Sequence, residues 1–206
     1  MERLKFTGLM AVGIVLSIMI SMGSSLLAET PKRGGTLNYI FGSKIPSYDL
    51  HRETTFGVIH PFSPYYSLLI RVNPDNPSSP TDFVCDVCEG NVDPAGEDGG
   101  KKFTFKIRRG IEFHDGTPLN AHDVVATYNK IIFPPEGVPS SRKAFFKMVE
   151  SVSAPDDFTV VFKLEYPSGS FIPALATPFN IIYSKKDLDT HGYEWHTKNI
   201  NGSGPF

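Results

Sequence analysis

The sequence predicts an α/β fold, with mixed sheets and flanking helices, behind an N-terminal export segment. Three stretches carry that prediction. Lys102-Phe-Thr-Phe-Lys-Ile-Arg108 alternates strictly, with Phe103, Phe105 and Ile107 on one side and charged residues or Thr on the other, the period of a strand with one wet face. Asn120 stands before a run in which Val124, Val125, Tyr128, Ile131 and Ile132 recur at helical spacing, with Asp123 favoured in the first turn and Pro134-Pro135 as the stop. Phe158 to Leu164 repeats the alternation of the first strand, after a turn at Pro155-Asp156-Asp157.

Length and composition agree. The chain has 206 residues, 40% hydrophobic and 20% charged, enough for one domain with a core or two small ones. Net charge is -2 and no long basic run exists, which argues against nucleic acid as a partner, because phosphate recognition needs concentrated positive charge. Two cysteines are too few for a disulfide-stapled scaffold.

Residues 1–28 have the order of a secretory signal: basic Arg3 and Lys5, an apolar run from Phe6 to Ile20, then small residues up to Ala28. Cleavage is expected after Ala28, with Ser25 as the alternative. The rival is an uncleaved anchor, which the Gly and Ser residues scattered through the run weaken. No Cys lies near the cleavage zone to accept a lipid. The remaining chain is therefore expected outside the cytoplasmic membrane, in the periplasm.

The other elements follow in order. Thr36 to Phe41 is β-rich and predicts a strand. Tyr65, Leu68, Leu69 and Val72 fall on one helical face and predict a short helix. Residues 73–82 and 89–101 are Pro- and Gly-rich loops. His114 to Pro118 is a turn. Residues 140–150 suit a helix, 170–176 a short helix interrupted at Pro173, and Ile181 to Tyr183 a short strand. Gly202 to Phe206 closes the chain in a turn-and-strand pattern.

Few residues point to chemistry. Cys85 and Cys88 form a C-x-x-C, open to three readings: disulfide, redox pair, or half a metal site with His191 and His196. The surrounding Pro-rich loop lacks the strand-to-helix setting of a redox motif, so a disulfide or idle thiols is the expectation and no metal is expected. His114-Asp115 are neighbours in a tight turn, a poor geometry for a catalytic dyad, and G-x-S-x-G is absent. The Gly-rich spots lack both phosphate-loop and dinucleotide patterns. No enzyme and no cofactor is expected.

The run FTFKIRRGIEFHDGTPLNAHDVVATYNKI, from Phe103, resembles the signature region of the extracytoplasmic solute-binding proteins of family 5, the peptide- and nickel-type receptors of ATP-driven importers. Arg108, Gly110, Phe113, His114, Asp115, Gly116, Pro118, Leu119, Ala121, Asp123 and Val124 match that signature in one ungapped window. Arg33-Gly-Gly-Thr-Leu37, Leu68-Leu69, Ala154 to Leu164, and Gly202-Ser-Gly-Pro-Phe206 are similar to further family segments in the same order. Val87 to Asn91 departs, lacking the aromatic the family often has there.

The resemblance implies a two-lobed, type II periplasmic-binding-protein fold, of which this chain is expected to be the N-terminal portion. Its expected parts are a signal (1–28), the start of lobe I (29–60), an inserted subdomain (61–175), and the return to lobe I (176–206). It implies capture of a small solute, foremost an oligo- or dipeptide, and delivery to membrane permease subunits. Nickel complexes, haem, opines and sugars stay open as ligands. The signature 103–124 is expected to be structural framework. Ligand contacts are expected at Phe41, Gly42, Ser43 and Tyr48, where the chain leaves the entry strand, and at Gly204. The competing readings are an exported metal or redox domain using Cys85 and Cys88, and a stand-alone exported interaction domain.

Overall fold

A computed structural model describes residues 34–36, 38–40 and 42–206. The expected signal and Phe41 lie outside them. The chain divides into two units, Met1–Ile40 and Phe41–Phe206; the described residues of the first, 34–36 and 38–40, contain no strand, so the strand expected over 36–41 is not formed by its described residues.

Six strands and four α-helices build the unit 41–206. In chain order they are α1 (Phe56–Phe62), β1 (Ile70–Val72), β2 (Phe83–Cys85), β3 (Cys88–Glu89), β4 (Lys102–Ile107), α2 (Ala121–Ile132), β5 (Val149–Asp156), β6 (Thr159–Leu164), α3 (Phe171–Leu175) and α4 (Lys185–His191), with 3₁₀ turns at Ser63–Tyr65, Lys143–Phe146 and Trp195–Thr197. β1 and β2 pair as a small ribbon, and the larger sheet runs β3-β4-β6-β5. All pairings among the described strands are antiparallel, a narrower arrangement than the mixed sheets expected.

The alternation of β4 places Phe103, Phe105 and Ile107 inside, facing α2 and α3. Its partner β6 contributes Val160, Phe162 and Leu164, with Phe105 opposite Val160 and Phe103 opposite Phe162. Phe162 is the hub of an aromatic cluster, with Tyr128 at 5.0 Å, Phe171 at 5.4 Å and Phe105 at 5.9 Å between ring centres. Edge-to-face packing of this kind adds to the area term.

Helix α2 begins as its sequence predicts. Asn120 accepts from the His122 amide, and Asp123 reaches back to the Asn120 amide at 2.9 Å, a reciprocal capping box. Pro173 sits in the first turn of α3, where its missing N–H has no helical partner to lose, so it does not break that helix.

Four expectations fail where tertiary contacts override local pattern. Residues 65–72 are a 3₁₀ turn followed by β1, because Leu68 and Leu69 give their backbone to the Asp86-Val87 turn: Asp86 N–H donates to Leu69 O (3.1 Å) and Val87 N–H to Leu68 O (3.0 Å). Residues 140–150 split into a 3₁₀ turn and the start of β5. Ile181 to Tyr183 joins no ladder, its Ile182 amide bonding Ser67 O (2.9 Å). Gly202 to Phe206 likewise forms no strand.

Two apolar clusters divide the interior. The first gathers residues between Leu69 and Ala176, together with Ile182, around the larger sheet. The second unites Leu50, Val58, Ile59, Phe62 and Tyr66 with Ile181, Tyr183 and Leu188.

Candidate functional site

Of the residues expected to meet a ligand, Ser43, Tyr48 and Gly204 touch α1 or the 3₁₀ turn after it. At the start of α1 a Cβ on Gly57 would lie 2.5 Å from Ser43 Oγ, so Gly57 is what lets residue 43 approach. Tyr48 packs its ring on Phe62 at 4.5 Å and donates its amide to Thr197 O at 3.0 Å. At the far end Gly204 N–H donates to Tyr65 O at 2.9 Å. Gly42 and Ser43 are exposed; Tyr48 and Gly204 are half-buried.

The signature turn grips residues 202–204, which lie against that 3₁₀ turn. His114 N–H donates to Gly202 O (2.8 Å), Gly202 N–H donates to His114 Nδ1 (3.3 Å), and His114 Nε2 donates to Gly204 O (3.1 Å). An accepting Nδ1 and a donating Nε2 require the neutral ring with its proton on Nε2. Beside it, Asp115 N–H donates to Asn201 Oδ1 (3.2 Å), Asn201 Nδ2 donates to Asp187 Oδ2 (2.6 Å), and Lys186 pairs with Asp115 at 3.1 Å. Bonds from Thr117 hold the Asp115 carboxyl well below the usual carboxylate range, with Lys186 adding to them. Gly116 turns the loop at φ 79°, where a side chain would be strained. A Cβ on Gly202 would lie 1.8 Å from Tyr65 O, so only glycine fits between the clamp and the 3₁₀ turn. His114 and Asp115, which sequence neighbours alone present as turn residues, thus form a clamp on residues 201–204.

Arg108 Nη2 donates to Asp86 O (2.6 Å) and Cys88 O (3.3 Å), bracing the C-x-x-C turn. Cys85 and Cys88 are joined as a disulfide across that turn, between β2 and β3. Among the described residues no group of three or more His, Cys, Asp or Glu is placed to hold a metal ion. No described helix is long and apolar enough to cross a membrane.

The strongest polar constellation escaped sequence reasoning. Asp49 and Lys130 form an ion pair of 2.9 Å with side chains at most 5% exposed. Tyr183 Oη donates to Asp49 Oδ1 (2.9 Å), as does the His51 amide (2.9 Å). Lys130 Nζ donates to His51 Nδ1 (3.3 Å), and His51 Nε2 donates to Ile181 O (2.9 Å). His196 stacks on Tyr183 at 3.7 Å, fully buried, with neither ring nitrogen hydrogen-bonded. Burial pushes the Asp49 carboxyl up, but Lys130, His51 and Tyr183 together hold it below the usual range. Burial, with the Lys130 charge adding to it, drives His51 well below the ordinary imidazole range. Burial drives His196 down to about 3. The available signal was Asp123, Thr127 and Lys130 at steps of four and three on α2, a polar stripe that resembles a solvent face but is buried.

The family profile of the bacterial extracellular solute-binding proteins, family 5 (middle region), matches residues 94–206. The oligopeptide-binding protein AppA of Bacillus subtilis (strain 168) is 34% identical over 114 residues, 53% of this chain and 21% of AppA. The solved structure of that protein in complex with a nonapeptide superposes with a TM-score of 0.64 at 26% identity, over 78% of this chain and 31% of that one. The binding protein AgaA of A. tumefaciens R10, in complex with agropinic acid, gives a TM-score of 0.67 at 23% identity, over 79% and 31%. The chain therefore spans about a fifth of the length of the curated relatives it matches and shares the type II periplasmic-binding-protein fold over the covered stretch. With the profile covering more than half its length, the chain belongs to the bacterial extracellular solute-binding proteins, family 5.

Proposed function

We propose that this chain serves in the capture of small peptides outside the cytoplasmic membrane, as part of a receptor that hands them to the permease subunits of an ATP-driven importer. The observation that carries the reading is family membership through residues 94–206, joined to relatives whose names state oligopeptide or glutathione binding. Residues 29–60 and 176–206 belong to lobe I in this reading, and 61–175 to an inserted subdomain. The division into two apolar clusters supports it, with the boundary falling near Leu69 and Ala176. Gly42, Ser43, Tyr48 and Gly204 contribute to the ligand side of lobe I, together with Phe41. Export depends on residues 1–28. Capture works by closure: a ligand touching both lobes favours the closed state, and one touching a single lobe shifts nothing.

The test is to purify the protein as its gene encodes it and offer a casein digest of peptides two to ten residues long. Recovered protein retaining peptides, detected by native mass spectrometry, is the expected result. Retention of a sugar or a nickel chelate in place of peptides overturns the ligand class.

A further inference from the structure

The buried network stands directly behind the segment that carries Ser43 and Tyr48. Asp49 and His51 belong to that segment, Lys130 to α2, Tyr183 to the coil after α3, and His196 to the last 3₁₀ turn. Four stretches of the chain thus meet at one polar knot with almost no water access.

We propose that this knot is an acid-labile latch on segment 42–53: closed while His51 and His196 are neutral, it opens when both rings take up protons, and so couples the ligand segment to external pH. This regulation rests on the proposed receptor function for its biological meaning, but not for its physics.

The geometry requires a neutral His51. A Lys ammonium only donates, so His51 Nδ1 accepts from Lys130, and its Nε2 proton goes to Ile181 O. A proton on Nδ1 would set two cations 3.3 Å apart in the interior and remove that bond. His196 offers no partner for a ring proton: Tyr183 covers one face and the Trp195 edge approaches at 4.9 Å. Other charged and titratable groups face the knot. Asp49 favours imidazolium at both rings; Lys130 opposes it at both; His191 opposes it at His196. Arg52 and Glu194, paired at 3.0 Å on the rim, act on Lys130 with opposite signs. Arg142, at the start of the 3₁₀ turn after α2, donates to Leu50 O, and Tyr66 meets Tyr183 edge-on.

Once the latch opens, both rings recover an ordinary titration near 6.5. The open form then binds about 1.5 protons more than the closed form at pH 6 and about two more at pH 5, so its population rises about 60-fold from pH 6 to 5 and about 100-fold from pH 5 to 4. Closure is therefore complete above pH 6.5 and lost as pH falls toward the depressed native values.

Amide hydrogen exchange on the full chain, corrected for intrinsic rates, reads this directly. Protection at Leu50, His51 and Tyr183, whose amides bond Tyr183 Oη, Asp49 Oδ1 and Thr127 Oγ1, is expected to fall about 60-fold between pH 6 and 5. The ladder amides of Phe105 and Phe162 should hold. His51→Gln and His196→Phe should each reduce the slope to about tenfold. Equal loss in both clusters, or no loss down to pH 4, overturns the latch. If a variant does not fold, the wild-type ring signals decide: rings titrating near 6.5 without faster exchange also overturn it. Peptide retention with a flat exchange profile sinks the latch alone; the exchange pattern without peptide retention sinks the receptor reading alone.

Discussion

The two apolar clusters are built by different means. Around the larger sheet, strands with two-residue alternation meet the apolar stripe of α2, and the interior is hydrocarbon and aromatic. The second cluster contains α1 and α4 but is closed by coil, and its centre is an ion pair with two neutral histidines. A paired sheet satisfies its backbone through its own ladder, so its side chains can all be apolar. Coil segments have no ladder, and buried polar side chains must meet their amides and carbonyls instead: Tyr183 Oη takes the Leu50 amide, Thr127 the Tyr183 amide, and His51 the Ile181 carbonyl. Such a centre fixes one arrangement and is sensitive to charge, whereas the sheet is sensitive to volume.

That contrast ranks the expected effects. Removing one partner of the buried pair should do most harm: Lys130→Met leaves the Asp49 carboxylate uncompensated, at a cost of about 3–5 kcal/mol. Urea unfolding should show it, and adding Asp49→Asn to the same chain should recover part of the loss. Recovery would separate unpaired charge from lost packing. The junction between ribbon and sheet comes next. Replacing Cys85 and Cys88 by Ser removes a cross-link over a very short loop, worth about 2 kcal/mol in the chain-entropy account. Thermal unfolding of oxidised wild type against the double variant measures this. The smallest effect belongs to local structure: Asn120→Ala removes the α2 cap and should cost about 1 kcal/mol, read as a shift in urea midpoint with unchanged slope. A loss as large as that of Lys130→Met would mean that α2 is held by its cap rather than by the sheet.

Much of the sheet cluster was legible because its information is local. Phe103, Phe105 and Ile107 announce a buried face by spacing alone, and Asn120 with Asp123 announces a helix start. The second cluster was illegible for the opposite reason. His51 and Lys130 are 79 positions apart, and nothing near either says that the other will neutralise its burial cost. Tyr65 to Val72 shows the same limit from another side: its helical spacing is real, but Leu68 and Leu69 gain more from the Asp86-Val87 turn than from a helix too short to be stable alone.

By itself, then, the sequence determined the α/β class, the alternating strands β4 and β6, the helix α2 that lies between them in the chain, and, through the motif from Phe103 to Ile131, the family. These rest on periodicity, caps and one contiguous run of residues, all readable without any long-range contact. Only the tertiary structure decided that His114 clamps residues 202–204, that Gly202 is required against Tyr65, and that Asp49, His51, Lys130, Tyr183 and His196 form one buried knot. Those depend on which distant polar groups meet out of water, where an unpaired group costs far more than any local preference supplies.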